Sequence, residues 1–311
     1  MRIIFFGTGK FGLPSLKKLF GSGHDIVAVV TQPDRKRGRG WNMLPTSIKA
    51  FAEKAAPGVE TLQPEEAGGA AFLKTLREKN ADVFIVVDYG QYLAKEILDM
   101  PAKCCINLHP SLLPKYRGAS PVSWAILNGE TKTGNTVIKM SKKMDAGDII
   151  LQAEMEIGED ENAPELSSRL AQMGAALLLK TLNEIETGNM HPRKQNEARV
   201  SYAPKLQKQD GKVNWERPAV DIVRQVRALQ PWPGAFTLLN GKTLKIFAAE
   251  IAARIKEGPI PGTIVDGDKF IVKTSSGAIR INTLQLEGKK EMNVREFLKG
   301  YKLISGNMLG E

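Results

Sequence analysis

Short apolar runs alternating with amphipathic stretches dominate the first 110 residues. Residues 3–6, 26–30, 83–87 and 104–108 are nearly unbroken hydrophobic runs of strand length. Such runs are expected of strands covered on both faces in a parallel sheet. Between them, residues 14–20, 46–55, 70–79 and 93–98 carry helical patterns. Residues 136–140 and 149–156 read as further strands, and 164–185 as a long amphipathic helix covering the sheet. The pattern then changes. Residues 188–204 are polar and irregular, with Pro192 and Pro204, and are expected to be a linker. A helix at 219–229 precedes short runs at 236–239, 244–251, 262–265, 270–274 and 279–286, separated by glycine turns as in a small barrel. A last helix is expected near 294–298. The fold class is α/β, with a doubly wound Rossmann-like domain at 1–187, a linker at 188–204 and a small β-barrel at 205–311.

Composition changes this picture in one respect. With 42% hydrophobic and 25% charged residues, the chain is expected to be globular rather than disordered. No apolar run approaches the roughly 18 residues of a membrane span. The apolar start at Ile3–Phe6 ends in Gly7, so it is expected to be a first strand and not a signal peptide. Cys104 and Cys105 are adjacent, which suits neither a disulfide framework nor metal-ligand spacing, and points to a reducing cytoplasm. The net charge of +10 is uneven: residues 205–311 hold 18 Lys and Arg against 11 Asp and Glu, whereas 1–204 hold 26 against 23. A basic module appended to a nearly neutral one suggests a polyanionic partner.

Candidate chemistry gathers where the fourth apolar run ends. Asn107 and His109 lie two apart on that strand, so both project to one side at its C-terminal end. Pro110 stops strand pairing, and Ser111-Leu112-Leu113-Pro114 follows as a stiff loop. Asp145 sits in Met144-Asp145-Ala146-Gly147-Asp148, where Gly147 permits a turn that returns a carboxylate toward the strand end. An amide, an imidazole and a carboxylate would then face one cleft. Gly7-x-Gly9-x-x-Gly12 follows the first strand, and Asp34 falls 22 residues beyond Gly12. A dinucleotide fingerprint places its ribose acid about 20 residues on, so a nicotinamide-dependent oxidoreductase is an alternative. Against it, Asp34 stands between Pro33 and Arg35-Lys36-Arg37-Gly38-Arg39, in what reads as an exposed loop. With Trp41, that cationic run is suited to gripping phosphates and stacking on a base.

The order Asn107-x-His109, Ser111-Leu112-Leu113-Pro114, Tyr116-Arg117-Gly118 and Asp145-x-Gly147 resembles the signature of the folate-dependent formyltransferases. Val87-Asp88-Tyr89-Gly90 is similar to the family loop whose backbone holds the pterin ring, with Asp88 where a small residue is usual. Tyr202-Ala203-Pro204-Lys205, Asp210-Gly211-x-x-x-Trp215 and Pro231-Trp232-Pro233-Gly234-Ala235 extend the resemblance to the tRNA-modifying branch, whose C-terminal OB-like barrel binds tRNA. The resemblance implies formyl transfer from 10-formyltetrahydrofolate to the α-amine of initiator methionyl-tRNA, by a monomer with no metal and no membrane partner. It implies Asn107, His109 and Asp145 as catalytic. Val87, Asp88, Tyr89, Gly90, Ser111, Leu112, Leu113 and Pro114 would line the folate site. Arg35, Lys36, Arg37, Arg39 and Trp41 would meet tRNA. Sugar-nucleotide formyltransferases share the first domain and a related barrel, and are the close alternative.

Overall fold

A computed structural model describes residues 1–37, 42–252 and 258–310. The chain divides into two compact units, the first comprising Met1–Pro121, Lys132–Glu156 and Ser167–Ala203 and the second Val122–Thr131, Ile157–Leu166 and Pro204–Glu311.

In the first part of the chain, β1 (Arg2–Gly7), α1 (Leu13–Phe20) and β2 (Asp25–Val30) are followed by a ribbon of β3 (Arg35–Arg37) and β4 (Asn42–Leu44). Then come α2 (Ser47–Ala55), β5 (Thr61–Leu62), α3 (Ala70–Glu78), β6 (Val83–Val87), α4 (Lys95–Leu98) and β7 (Cys104–His109). Next are α5 (Pro121–Leu127), β8 (Lys132–Lys139), β9 (Ile149–Glu156) and α6 (Ala163–Glu186). Seven strands pair in the order β5-β2-β1-β6-β7-β8-β9. The first five are parallel, and β8 runs antiparallel to both β7 and β9. Strand order reverses between β1 and β6, which opens a crevice at their carboxyl ends.

The two faces of this sheet explain the continuous apolar runs. Ile3, Phe5, Val83, Ile85 and Val87 pack on one side with Leu16 and Leu19 of α1, Ile48 of α2 and Leu178 and Leu182 of α6. Ile4, Phe6, Phe84 and Val86 pack on the other with Leu73 and Leu76 of α3 and Ile97 of α4. Successive residues thus enter opposite cores, and no polar position is left for alternation.

Arg35–Arg37 corrects the expectation of an irregular loop. These residues pair antiparallel with Asn42–Leu44, Arg35 opposite Leu44 and Lys36 opposite Met43. The ribbon buries little: Arg35, Lys36, Met43 and Leu44 are all exposed. Its backbone pairing therefore left no hydrophobic period in the sequence. Arg39 and Trp41 lie outside the described residues.

In the second unit, α7 (Ala219–Ala228) precedes β10 (Ala235–Leu239), β11 (Lys242–Ile251), β12 (Ile264–Asp266), β13 (Ile271–Lys273), β14 (Ala278–Leu286), β15 (Met292–Asn293) and α8 (Val294–Gly300). These strands form an antiparallel sheet in the order β10-β11-β14-β13-β12, with β15 against β14. Register slips in β11 at Ile246/Ala248 and Ala248/Ala249 give it the local twist by which such sheets coil. Ile222 and Val226 of α7, Leu244, Ile246, Phe270, Ile279 and Phe297 share its core. Among the described residues no helix is long and apolar enough to cross a membrane.

Candidate active site

The site stands at the carboxyl end of β7. Asn107 pairs with Val86 of β6 on one side and Ile138 of β8 on the other, and His109 pairs with Thr136. Strand alternation puts Asn107 and His109 on one face. Asn107 is half-buried, and its amide makes no hydrogen bond among the described residues. A donor on this rigid strand is therefore free for a ligand.

His109 is buried at 4% exposure. Its Nε2 lies 2.9 Å from the Tyr116 carbonyl oxygen. A carbonyl only accepts, so Nε2 carries hydrogen and donates, which assigns the tautomer of the neutral ring. Nδ1 then faces Asp145 Oδ2 at 3.7 Å. That Oδ2 accepts the Gly118 backbone N–H at 2.9 Å.

Asp145 reaches this place because the chain between β8 and β9 folds back over the strand ends. The Tyr92 hydroxyl donates to the Lys142 carbonyl at 3.2 Å, joining that chain to the turn after β6. Asp145 itself has φ of +49°. Gly147 permits the turn as expected, through space: a Cβ there would lie 1.9 Å from the Lys139 carbonyl oxygen. Glycine is required by close backbone approach at this position.

The other expected ligand residues form two loops. After β6, Asp88 and Gly90 have φ of +52° and +86°, and Tyr89 is buried with its ring edge-on to Phe6. Burial raises the Tyr89 phenol to about 12. Asp88 keeps much of its surface in contact with solvent, yet the surrounding protein desolvates its carboxyl enough to raise the pKa to about 6. After β7, a cis peptide joins Leu113 to Pro114. Ser111 donates to the Lys115 carbonyl at 2.7 Å, and Thr136 donates to the Ser111 carbonyl at 2.6 Å. Leu113 is buried with Ile138 and Ile149, while Leu112 and Pro114 are half-buried. With Tyr89 and Leu113 turned into the core, these loops offer chiefly backbone at the strand ends.

The glycines after β1 serve packing. A Cβ at Gly7 or Gly12 would stand 3.0 or 3.1 Å from the Val87 carbonyl oxygen, and one at Gly9 would stand 1.8 Å from Asp88 Oδ2. An acidic side chain thus lies over Gly9, where a pyrophosphate would have to approach. The Asp34 carboxylate is taken by Lys49 at 2.7 Å and Gln63 at 2.8 Å. Neither arrangement suits a dinucleotide.

Two residues with no role in the sequence reading adjoin the site. Arg117 is 2% exposed. Its guanidinium donates to Gln195 Oε1 from Nε at 3.0 Å and Nη2 at 2.8 Å, and pairs with Glu197 at 2.8 Å. Arg117 stood inside a recognised tripeptide. Gln195 had no local signal at all.

Residues 1–182 match the profile of the family described as formyl transferase, and residues 205–302 match that of the formyl transferase C-terminal domain. A protein of Caldanaerobacter subterraneus subsp. tengcongensis named methionyl-tRNA formyltransferase is 44% identical, over 99% of this chain and 100% of its own. One of the same name from Geobacter metallireducens is 42% identical, over 100% of this chain and 99% of its own. Among solved structures, a sugar 3N-formyl transferase determined with dTDP and 5-N-formyl-THF superposes with a TM-score of 0.70 at 20% identity, covering 93% of this chain and 99% of the other.

Proposed function

The chain belongs to the formyl transferase family, and on that premise we propose that it moves a formyl group from 10-formyltetrahydrofolate to the α-amine of methionine esterified to initiator tRNA. The observation that carries this reading is the end-to-end match, through both domains, to relatives named for that reaction. The 5-N-formyl-THF present with the similar sugar-acting structure supports a folate-derived donor. The positive charge concentrated in residues 205–311 supports a nucleic-acid acceptor. Thiols at Cys104 and Cys105, both free and buried, suit a reducing cytoplasm.

The amine attacks only as the neutral base, and the formyl oxygen gains negative charge as its carbon becomes tetrahedral. Asn107 donates its uncommitted amide N–H to that oxygen, and such a preorganised donor contributes about 3 kcal/mol. His109 and Asp145 accept the amine's proton as a pair; the bond from the formyl carbon to N10 of the folate then breaks, N10 takes up a proton and tetrahydrofolate leaves. Since Nε2–H is tied to Tyr116, a second proton on the ring sits at Nδ1, facing the Asp145 carboxylate. The Asp145 side chain is 14% exposed and that of His109 5%, so the pair meets its substrate on the carboxylate side. This favours a proton-handling task for His109 over a second donor to the formyl oxygen. The backbone of Val87, Asp88, Tyr89 and Gly90 and the loop of Ser111, Leu112, Leu113 and Pro114 hold the folate. Arg35, Lys36, Arg37 and Arg39 supply positive charge for tRNA phosphates, and Trp41 supplies a ring for stacking on a base.

Incubation with 10-formyltetrahydrofolate and a panel of amines tests this, with products identified by mass. The expected result is formylation of initiator methionyl-tRNA in preference to any amino sugar nucleotide. Formyl transfer to the sugar nucleotide alone would overturn the assignment of acceptor.

A further inference from the structure

The segment 193–203 does more than connect. Arg193 and Ile149 exchange both backbone hydrogen bonds, at 2.8 and 2.9 Å. Ser201 accepts the Tyr116 N–H on its hydroxyl at 2.9 Å and the Arg117 N–H on its carbonyl at 2.9 Å. The Ala203 N–H returns a bond to the Arg117 carbonyl at 2.7 Å. The segment is thereby a strap laid across the outside of the site, fastened at β9 and at Tyr116–Arg117.

Gln195 lies midway along it, and every polar capacity of its amide is used. Oε1 accepts two N–H groups of Arg117, and Nε2 donates to the carbonyls of Asp145 at 2.7 Å and Gly147 at 2.8 Å. Rotating the amide by half a turn would set N–H against N–H and oxygen against two carbonyls. Its orientation is therefore fixed by all four partners. We propose that Gln195, anchored on the buried Arg117, is a positioning residue that sets where the Asp145 carboxylate stands relative to His109.

Three features make this physically demanding. Asp145 holds a left-handed backbone, which costs a non-glycine residue free energy unless its neighbours enforce it. The two carbonyls that Gln195 binds flank the Asp145–Gly147 turn, so the turn cannot rotate without breaking both. The Gly118 N–H that holds Oδ2 follows Arg117 directly in the chain. One buried guanidinium thus steadies the carboxylate from its amide side and, through Gln195, from its backbone side. Glu197 tightens the arrangement by joining Arg117 at 2.8 Å to Lys143 at 3.7 Å, and the Arg117 hydrogen bond holds its carboxyl below the usual range.

This inference rests on the proposal that Asp145 takes part in formyl transfer, and a double-mutant cycle separates the two. Gln195→Leu, Gln195→Glu, Asp145→Asn and the paired Gln195→Leu/Asp145→Asn would be assayed for kcat and for KM of folate and of methionyl-tRNA. Gln195→Glu keeps an acceptor for Arg117 while removing both donations to the turn, and serves if the leucine variant folds poorly. Each Gln195 variant is expected to lose roughly tenfold or more in kcat, a scale set by small misplacements of reacting groups. KM for folate should move far less. Adding Gln195→Leu to Asp145→Asn should cost nothing further in kcat, since the group being positioned is already gone. Full additivity in the cycle, or an unchanged kcat in Gln195→Glu, would overturn the positioning role. An Asp145→Asn enzyme with normal kcat would instead overturn the reading of the site.

Discussion

His109 Nδ1 stands 3.7 Å from Asp145 Oδ2, beyond hydrogen-bond range, while Nε2 of the same ring is held 2.9 Å from the Tyr116 carbonyl oxygen. The bond from Nε2 to Tyr116 fixes which ring nitrogen faces the carboxylate. Replacing Asp145 by Ala removes the carboxylate that faces Nδ1 and leaves the ring anchored at Tyr116. We expect kcat to fall by about 10²-fold or more, as for loss of a preorganised group in the transition state. Steady-state kinetics on a variant with an unaltered circular dichroism spectrum checks this.

Asn107→Ala should be comparably costly for a different reason. Its amide has no partner among the described residues, so truncation breaks nothing in the folded protein. The variant should melt close to the wild type while kcat drops by about 10²-fold. A near-normal kcat would remove Asn107 from the chemistry.

Gly147→Ala tests the turn itself. The added Cβ would fall 1.9 Å from the Lys139 carbonyl oxygen, which belongs to β8 and cannot swing aside as a side chain could. Overpacking of this kind costs on the order of 1–3 kcal/mol. Thermal unfolding should register that loss, and kcat should fall with it, because the turn carries Asp145. A variant with unchanged melting and turnover would show that the turn has room to spare.

Asp88 gives a pH signature. Its carboxyl is raised from 3.8 to about 6 in the folded state by desolvation. Stability linked to this group is fully present below the ordinary value and is lost as pH rises through about 6. Asp88→Asn suits the left-handed backbone and does not titrate. The Tm of the variant should therefore gain on that of the wild type between about pH 4 and 6, with a constant gap above. Parallel melting curves across that range would refute the shift.

Truncation places the strap on trial. A chain ending after residue 203 keeps Gln195, Glu197 and Ser201 on Arg117. One ending after residue 190 leaves a buried guanidinium without them, and stripping partners from a buried charge costs about 3–5 kcal/mol. We expect the longer fragment to fold, bind folate and lose most kcat/KM on methionyl-tRNA. The shorter should be markedly less stable to denaturant. Equal stability would show that the strap adds nothing to the unit it lies on.

Much of this was legible in the chain because parallel strands buried on both faces leave unmistakable apolar runs, as at Ile3–Phe6. The gapped spacing from Asn107 to Gly147 likewise survived as a linear pattern. What escaped were arrangements without a local period. The β3–β4 ribbon buries too little to impose one, and β5 and β15 are two-residue strands. α5 follows Gly118-Ala119-Ser120, which reads as loop. Gln195 meets partners 78 and 50 positions away, at Arg117 and Asp145, and so lies beyond any window of sequence. The spacing of the glycines after β1 fits both a dinucleotide fingerprint and close packing, and the structure shows the packing, against Val87 and Asp88.

The strap also sets an order of events during synthesis. A ribosome delivers the chain from its N-terminus at about 5–20 residues per second. Every strand of the first sheet has been made once residue 156 is out, but the clasp over Arg117 and the Asp145 turn waits for residues 193–203. A nascent chain that has completed its sheet still lacks the contacts that hold its carboxylate in place. Final assembly of the candidate site falls to one of the last pieces of the first unit to emerge, just before the basic residues 205–311 begin.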